Sequence, residues 1–311
     1  MGTIRRTTVL VAAMLAVAMT ATMPVGAEVR SGAIDPDSAM VFSISLDPFA
    51  DPLDFDVVLL NPLEADPVVI TMDPGRDWFP DLSPDHSTIV WQSDRSGKFE
   101  LYRIAATTDD ARTVPEQLTR TAGDGESTVP AFSPDGTKIA FVSTEGGRPH
   151  LVVMNADGSG PRQVSSLLSH DGSRPSWSAD GRRIAFAGVR TPKDDLDIYV
   201  ADVASGKARP VGATGADEYE PAWSPDGSSF LYFKNGHVWG MDADGRNAKR
   251  LTRTGTTADG EYQAAWSPDG THFVYVSNAP ATSGLYIADA NGKRPSSFIE
   301  GDFAAEAPSW R

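Results

Sequence analysis

The chain reads as an all-β protein: a six-bladed β-propeller of four-stranded antiparallel blades, with the last blade shared by the two ends of the sequence. Three observations predict this. A Ser-Pro-Asp-Gly turn or a close variant recurs five times, as SPDH at 83–86, SPDG at 133–136, SADG at 178–181, SPDG at 224–227 and SPDG at 267–270, at spacings of 43 to 50 residues. A fixed period near 45 residues marks a repeat array. The segments around each turn are short runs rich in β-branched and aromatic residues, the composition of strands. Finally, Ala307-Pro308-Ser309-Trp310-Arg311 repeats the opening of a unit and then stops.

One unit shows the internal order. Residues 129–133 (VPAFS) form a short apolar run, and Pro134-Asp135-Gly136-Thr137 a turn. Residues 138–143 (KIAFVS) follow as a second strand, and 150–154 (HLVVM) as a third. Asn155-Ala156-Asp157-Gly158 turns again, and Arg162-Gln163-Val164 forms an outer fourth strand. Proline presets φ near −65°, aspartate bonds back to the chain, and glycine supplies the positive φ that other residues resist. Asp-Gly between apolar runs is a hairpin signal. Such a meander cannot bury both faces alone, but a ring of stacked units can.

The remaining units align in order. Second strands are 88–92 (TIVWQ), 183–187 (RIAFA), 229–233 (SFLYF) and 272–276 (HFVYV). Third strands are 100–104 (ELYRI), 197–201 (DIYVA), 237–241 (HVWGM) and 284–288 (GLYIA). Leu82, Phe132, Trp177, Trp223, Trp266 and Trp310 fall in one column of the repeat, which reads as packing between blades. Near the N-terminus, 40–46 (MVFSISL), 56–60 (DVVLL) and 68–71 supply the strands missing after Trp310. Joining the two ends in one blade closes the ring and removes two exposed sheet edges.

Pro221-Ala222-Trp223-Ser224-Pro225-Asp226-Gly227, with Ile184-Ala185-Phe186 and Asp197-Ile198-Tyr199-Val200 from the preceding unit, resembles the WD40-like repeats of TolB-type propellers. The resemblance spans residues 39–311. It implies the propeller fold and says little about function, because one fold hosts many jobs. One departure is expected: about a dozen residues separate Ala27 from the first strand, too few for the α/β domain that precedes the TolB propeller. A stand-alone propeller is the expectation, so the partners of TolB do not transfer directly.

Composition narrows the function. Of 311 residues, 42 are Asp or Glu and 27 are Lys or Arg, a formal charge of −15. This acidity repels phosphates and excludes a nucleic-acid partner. There is no cysteine, so neither disulfides nor a thioether-linked lipid is available. Arg5 and Arg6, the apolar run 9–19 and Val25-Gly26-Ala27 form an export signal with cleavage expected after Ala27. The run falls short of the about 20 residues of a membrane span. The expected organisation is a signal peptide at 1–27, a flexible segment at 28–38 and a propeller at 39–311, secreted or periplasmic, without a membrane span once cleaved, and monomeric.

Acidic residues stand before each innermost strand: Asp77, Glu126, Asp171, Asp217 with Glu218, Glu261 and Glu306. Trp78, Tyr219 and Tyr262 stand beside them. Ring symmetry would gather these at one mouth of the central channel, on the face carrying the varied connections, where function usually sits. The array would suit a basic loop, an ammonium group or a divalent cation such as Ca2+. A wet ring of acids in an acidic repeat protein is equally a structural outcome, since carboxylates about 10 Å apart in water repel by only ~0.4 kcal/mol. Asp242-Ala243-Asp244-Gly245-Arg246-Asn247 and Asn155-Ala156-Asp157-Gly158 are oxygen-rich but lack the bidentate Glu of a calcium loop, and read as hairpin turns. The longer connections at 47–56 and 189–197 could also hold a partner.

Catalysis requires a nucleophile, base or metal in a defined constellation. There is no cysteine, HExxH or GxSxG, and the histidines His86, His150, His170, His237 and His272 are scattered, with His170 alone near the acidic face. The leading expectation is an exported protein-binding or scaffold module for an envelope or extracellular protein, with no cofactor. The alternatives are a metal-dependent enzyme, such as a polysaccharide lyase or hydrolase working at the channel mouth, and a calcium-stabilised adhesion module.

Overall fold

The computed structural model describes residues 38–45, 55–60, 67–72, 75–106, 114–191, 194–212, 215–253, 260–278, 284–300 and 304–311. The expected leader and nearly all of segment 28–38 lie outside the described residues, as does most of the 47–56 connection. Among the described residues the regular structure is all strand, arranged in six sheets. No helix among them is long and apolar enough to cross a membrane.

In the first blade, Asp77–Leu82, Thr88–Ser93, Glu100–Ala105 and Glu116–Gln117 pair in chain order as an antiparallel meander. The second repeats it with Ser127–Phe132, Lys138–Ser143, His150–Asn155 and Arg162–Gln163. The fourth uses Tyr219–Trp223, Ser229–Lys234, His237–Asp242 and Lys249–Arg250, and the fifth Glu261–Trp266, His272–Ser277, Gly284–Asp289 and Ser296–Glu300. In the sixth, Ala304–Trp310 pairs with Met40–Ser45, which continues into Asp56–Leu60 and Val68–Val69. The shared blade is therefore closed by a ladder in which Met40 faces Trp310.

The alternation of side chains along each strand explains how the blades stack. Met40, Phe42 and Ile44 pack with Val274, Leu285 and Phe298 of the fifth blade. Their neighbour Val41, with Val57 and Leu59, packs with Leu82, Ile89 and Trp91 of the first. One strand thus serves two interfaces, because successive residues point to opposite faces. The other four interfaces are filled in the same manner. The tryptophan column sits in them: the Trp177 indole donates to the Ala131 carbonyl at 3.1 Å and Trp266 to Ala222 at 3.2 Å, each reaching the preceding blade.

Near the axis the innermost strands break register. Phe79, Val129, Glu220, Gln263 and Ala307 all have φ of 50° to 52°, at equivalent positions in five blades. Each lies within a register shift. Four of the five precede a proline, which has no N–H to give to the ladder, so the strand bulges there. The third blade solves the same problem differently. Its innermost strand is split into Leu168–Ser169 and Ser176–Trp177, both paired with Arg183–Val189. Residues 170–175 detour between the two pieces.

Candidate functional site

At the axis each blade is tied to the next by hydrogen bonds from backbone N–H groups to side-chain oxygens. Val129 N–H donates to Gln92 Oε1 at 2.8 Å, Gln263 N–H to Glu220 Oε2 at 2.8 Å, and Ala307 N–H to Gln263 Oε1 at 2.6 Å. Where the third blade detours, Thr128 Oγ1 donates to the Asp171 carbonyl at 2.8 Å, and Ser173 Oγ accepts from Glu220 N–H at 2.7 Å. The bulges free backbone donors from the ladder, and these side chains satisfy them, as buried donors require.

The same detour places Arg174 across the channel. Its Nη2 donates to the carbonyl of Pro80 at 3.0 Å and of Ala307 at 3.2 Å, and Nη1 donates to that of Pro308 at 3.1 Å. Those carbonyls belong to the first and sixth blades, on the far side of the ring. The guanidinium also lies 5.6 Å from the Phe79 ring centre. The channel is thus barred from wall to wall, and its two mouths are separate surfaces.

On the side of the Ser-Pro-Asp-Gly turns the channel widens to a funnel of about 380 Å³. Its wall carries Trp177, Trp223, Trp266 and Trp310, and its lower part Arg174, Glu220, Gln263, Asp81 and Arg311. Asp81 is buried and fully engaged: it accepts from Phe132 N–H at 2.6 Å, from Arg311 Nη2 at 3.0 Å and from Ser309 Oγ. Burial pushes the Glu220 carboxyl up to about 7.

The ten residues expected at the opposite mouth fall into three different situations. Asp77, Glu218 and Glu261 are fully buried. Asp77 accepts from Arg95 Nη2 at 2.8 Å and from the Trp91 indole at 2.9 Å. Glu218 lies 3.7 Å from Lys234 Nζ, and Glu261 2.9 Å from His237 Nδ1. These three carboxylates are internal, Asp77 and Glu218 set against cations and Glu261 hydrogen-bonded to the His237 ring, and they are not exposed at the mouth. Glu306 and Tyr262 meet: the Tyr262 hydroxyl donates to Glu306 Oε1 at 3.2 Å. Burial raises both the Glu306 carboxyl and the Tyr262 phenol. Trp78 stacks on Phe55 at 5.4 Å between ring centres.

Asp171 and Asp217 are exposed, and Glu126 and Tyr219 half-buried. Tyr219 donates to Asp217 Oδ2 at 3.2 Å and meets His170 edge to face at 5.2 Å. The difference is one of register: Asp77, Glu218 and Glu261 stand three residues before the repeat's Pro or Ala, Glu306 two before and Asp171 and Asp217 four before. Residues one apart in a strand point to opposite faces.

Two features escaped the sequence reading. Arg174, Glu220 and Gln263 occupy the column before the repeat's Pro or Ala, which otherwise reads Phe79, Val129 and Ala307. Charge and amide in an apolar column are a legible signal. The hydrogen bond of His237 with Glu261 had no such signal, since 24 residues separate them. Among the described residues no three His, Asp or Glu side chains converge to hold a metal ion. Asn155-Ala156-Asp157-Gly158 is a hairpin turn, closed by Gly158 N–H on the Asn155 carbonyl at 2.9 Å.

The family model described as the TolB beta propeller domain matches residues 116–311. A protein TolB homolog from Chlorobium luteolum is 34% identical over 162 residues, which is 50% of this chain and 34% of the relative's own length. Among solved structures, TolB from Acinetobacter baumannii superposes with a TM-score of 0.72 at 19% identity, over 88% of this chain and 66% of that one. An oligogalacturonate lyase in complex with manganese superposes with a TM-score of 0.54 at 16% identity, over 85% of this chain and 74% of that one. At such identities the structural likenesses show the fold alone.

Proposed function

From a chain that belongs to the TolB beta propeller domain family, we infer a binding protein that works outside the cytoplasm, exported by the leader at 1–27, and that holds another envelope or extracellular protein against its acidic mouth. The observation that carries this reading is the exposure of Asp171 and Asp217 beside Tyr219, while Asp77, Glu218 and Glu261 are buried inside the blades against Arg95, Lys234 and His237. Exposed carboxylates over a rigid ring attract a basic partner and set its orientation more than its affinity. Glu126, Glu306, Trp78 and Tyr262 would then shape the rim. The reading invokes neither cofactor nor catalytic step.

The test is a pull-down from the organism's own envelope and secreted fractions with the mature protein, beside Asp171→Asn/Asp217→Asn. A partner held at low salt, released as salt rises and lost in the double variant is the expected result. A partner that both proteins retain equally would move the site elsewhere, and no partner at all would remove the binding role.

A further inference from the structure

The funnel on the turn side lies at the other end of the channel from the proposed partner face, and its chemistry is different. Four tryptophans line it, and none offers a donor to a guest. Their indole N–H groups are taken by the Ala131, Gly227 and Ala222 carbonyls and by Ser38 Oγ. With Pro84, Pro134, Pro225 and Pro268 at the rim, the wall is apolar. Polar recognition is confined to the bottom.

There the chain holds a half-buried cation without an anion in contact. Arg174 donates to three neutral carbonyls, and among the described residues no carboxylate lies within ion-pair distance of it. Its Nε–H has no partner, and neither has that of Arg311, whose Nη2 rests on Asp81. Asp81 and Glu220 act on this charge from beyond contact distance, and an anion brought into contact would recover more of its desolvation cost. Burial depresses the ionisation of Arg174 accordingly. Glu220 lies nearby, its Oε2 accepting Gln263 N–H and its carboxyl raised by burial to about 7. A volume of about 380 Å³ is that of a small-molecule site.

We propose that the blind funnel binds a small organic carboxylate with an apolar body, its carboxylate against the Arg174 guanidinium on the axis and its body between the tryptophans. Arg311, itself paired with Asp81, offers its Nε–H as a further donor, and guanidinium presents the planar fork that carboxylates match. This site does not depend on the binding role assigned to the acidic mouth.

The probe is phenylacetate, with phenylacetamide as its uncharged counterpart, titrated into the full mature chain and read by tryptophan emission. A saturable change with Kd on the order of 1 mM or tighter is expected for the acid, and none for the amide at equal concentration. Arg174→Gln is expected to weaken binding about ten-fold or more. Glu220→Gln retains a side-chain oxygen to accept Gln263 N–H and removes the negative charge. Arg174 and Glu306 are the charged groups that face it. At pH 8 this variant should bind phenylacetate about three-fold tighter, because a like charge near the carboxylate is gone. Equal response to acid and amide, no saturable response, or unchanged affinity in Glu220→Gln would each overturn the proposal, even if Arg174→Gln fails to fold.

Discussion

Asp81 shows how much one side chain can carry in a closed ring. It is the one acid in a column that elsewhere reads Ala131, Ser176, Ala222, Ala265 and Ser309, and its partners come from the second and sixth blades. Asp81→Ala would leave Phe132 N–H and the Arg311 guanidinium without their acceptor in a buried site. A loss of about 3 kcal/mol is expected, read as the midpoint of urea unfolding. His86 is the opposite case. It stands at φ 58° in the slot that glycine fills in the other four turns. His86→Gly should stabilise by roughly 0.5–1 kcal/mol, the relief of left-handed strain less the added freedom of the unfolded chain. A lower melting temperature in that variant would refute the account of the turn. Glu220 titrates in a direction of its own. Its folded carboxyl ionises near 7 and its unfolded one near 4.5, so folding loses stability as pH rises between them. Glu220→Gln should therefore raise the melting temperature more at pH 8 than at pH 5.

At the scale of the element, the Ser-Pro-Asp-Gly turn is a small hydrogen-bonded device repeated five times. Each serine Oγ donates to the Asp Oδ1 at 2.6 Å, and that oxygen also accepts the N–H two residues on. The serine Oγ in turn accepts an N–H five residues later, at 2.9 to 3.0 Å. These bonds hold all five carboxyls below the usual range, Asp85 and Asp269 at about 2. A depressed folded pKa stabilises above the unfolded value near 4 and ceases to as pH falls toward 2. Five such turns should give a steep acid limb in melting temperature between those values, shallower in Asp85→Asn/Asp269→Asn. An unchanged limb would place the acid sensitivity in other carboxylates. The turns and strands were legible because their signals are local: a proline, an Asx bond, a glycine, an alternation of apolar residues. The split innermost strand of the third blade was not, since residues 168–177 contain no breaker that the other units lack at that point except Gly172.

For the whole molecule, closure is the decisive contact. Ala304–Trp310 forms the innermost strand of a blade whose other three strands lie more than 230 residues earlier in the chain. Trp310 is 6% exposed and donates to Ser38 Oγ at 3.0 Å. Removing residues 305–311 should cost more than Trp310→Ala alone, for which roughly 3–5 kcal/mol is expected, because it also opens two sheet edges. Calorimetry that found the truncated chain as stable as the full one would mean that the ring does not depend on its shared blade.

The sequence by itself determined the number of blades, their strands, the turn chemistry and the joining of the ends. Those features are set by periodic residues close in the chain, or by one repeat cut at both termini. It also named the acids that stand before the innermost strands. Only the tertiary structure decided which of them face water. A shift of one residue in a strand exchanges the mouth for the interior, where Arg95 or Lys234 supplies the counter-charge and His237 a hydrogen bond. It likewise decided that the channel is barred, because Arg174 finds its partners 94 to 134 residues away, across an axis that exists only once the ring has closed.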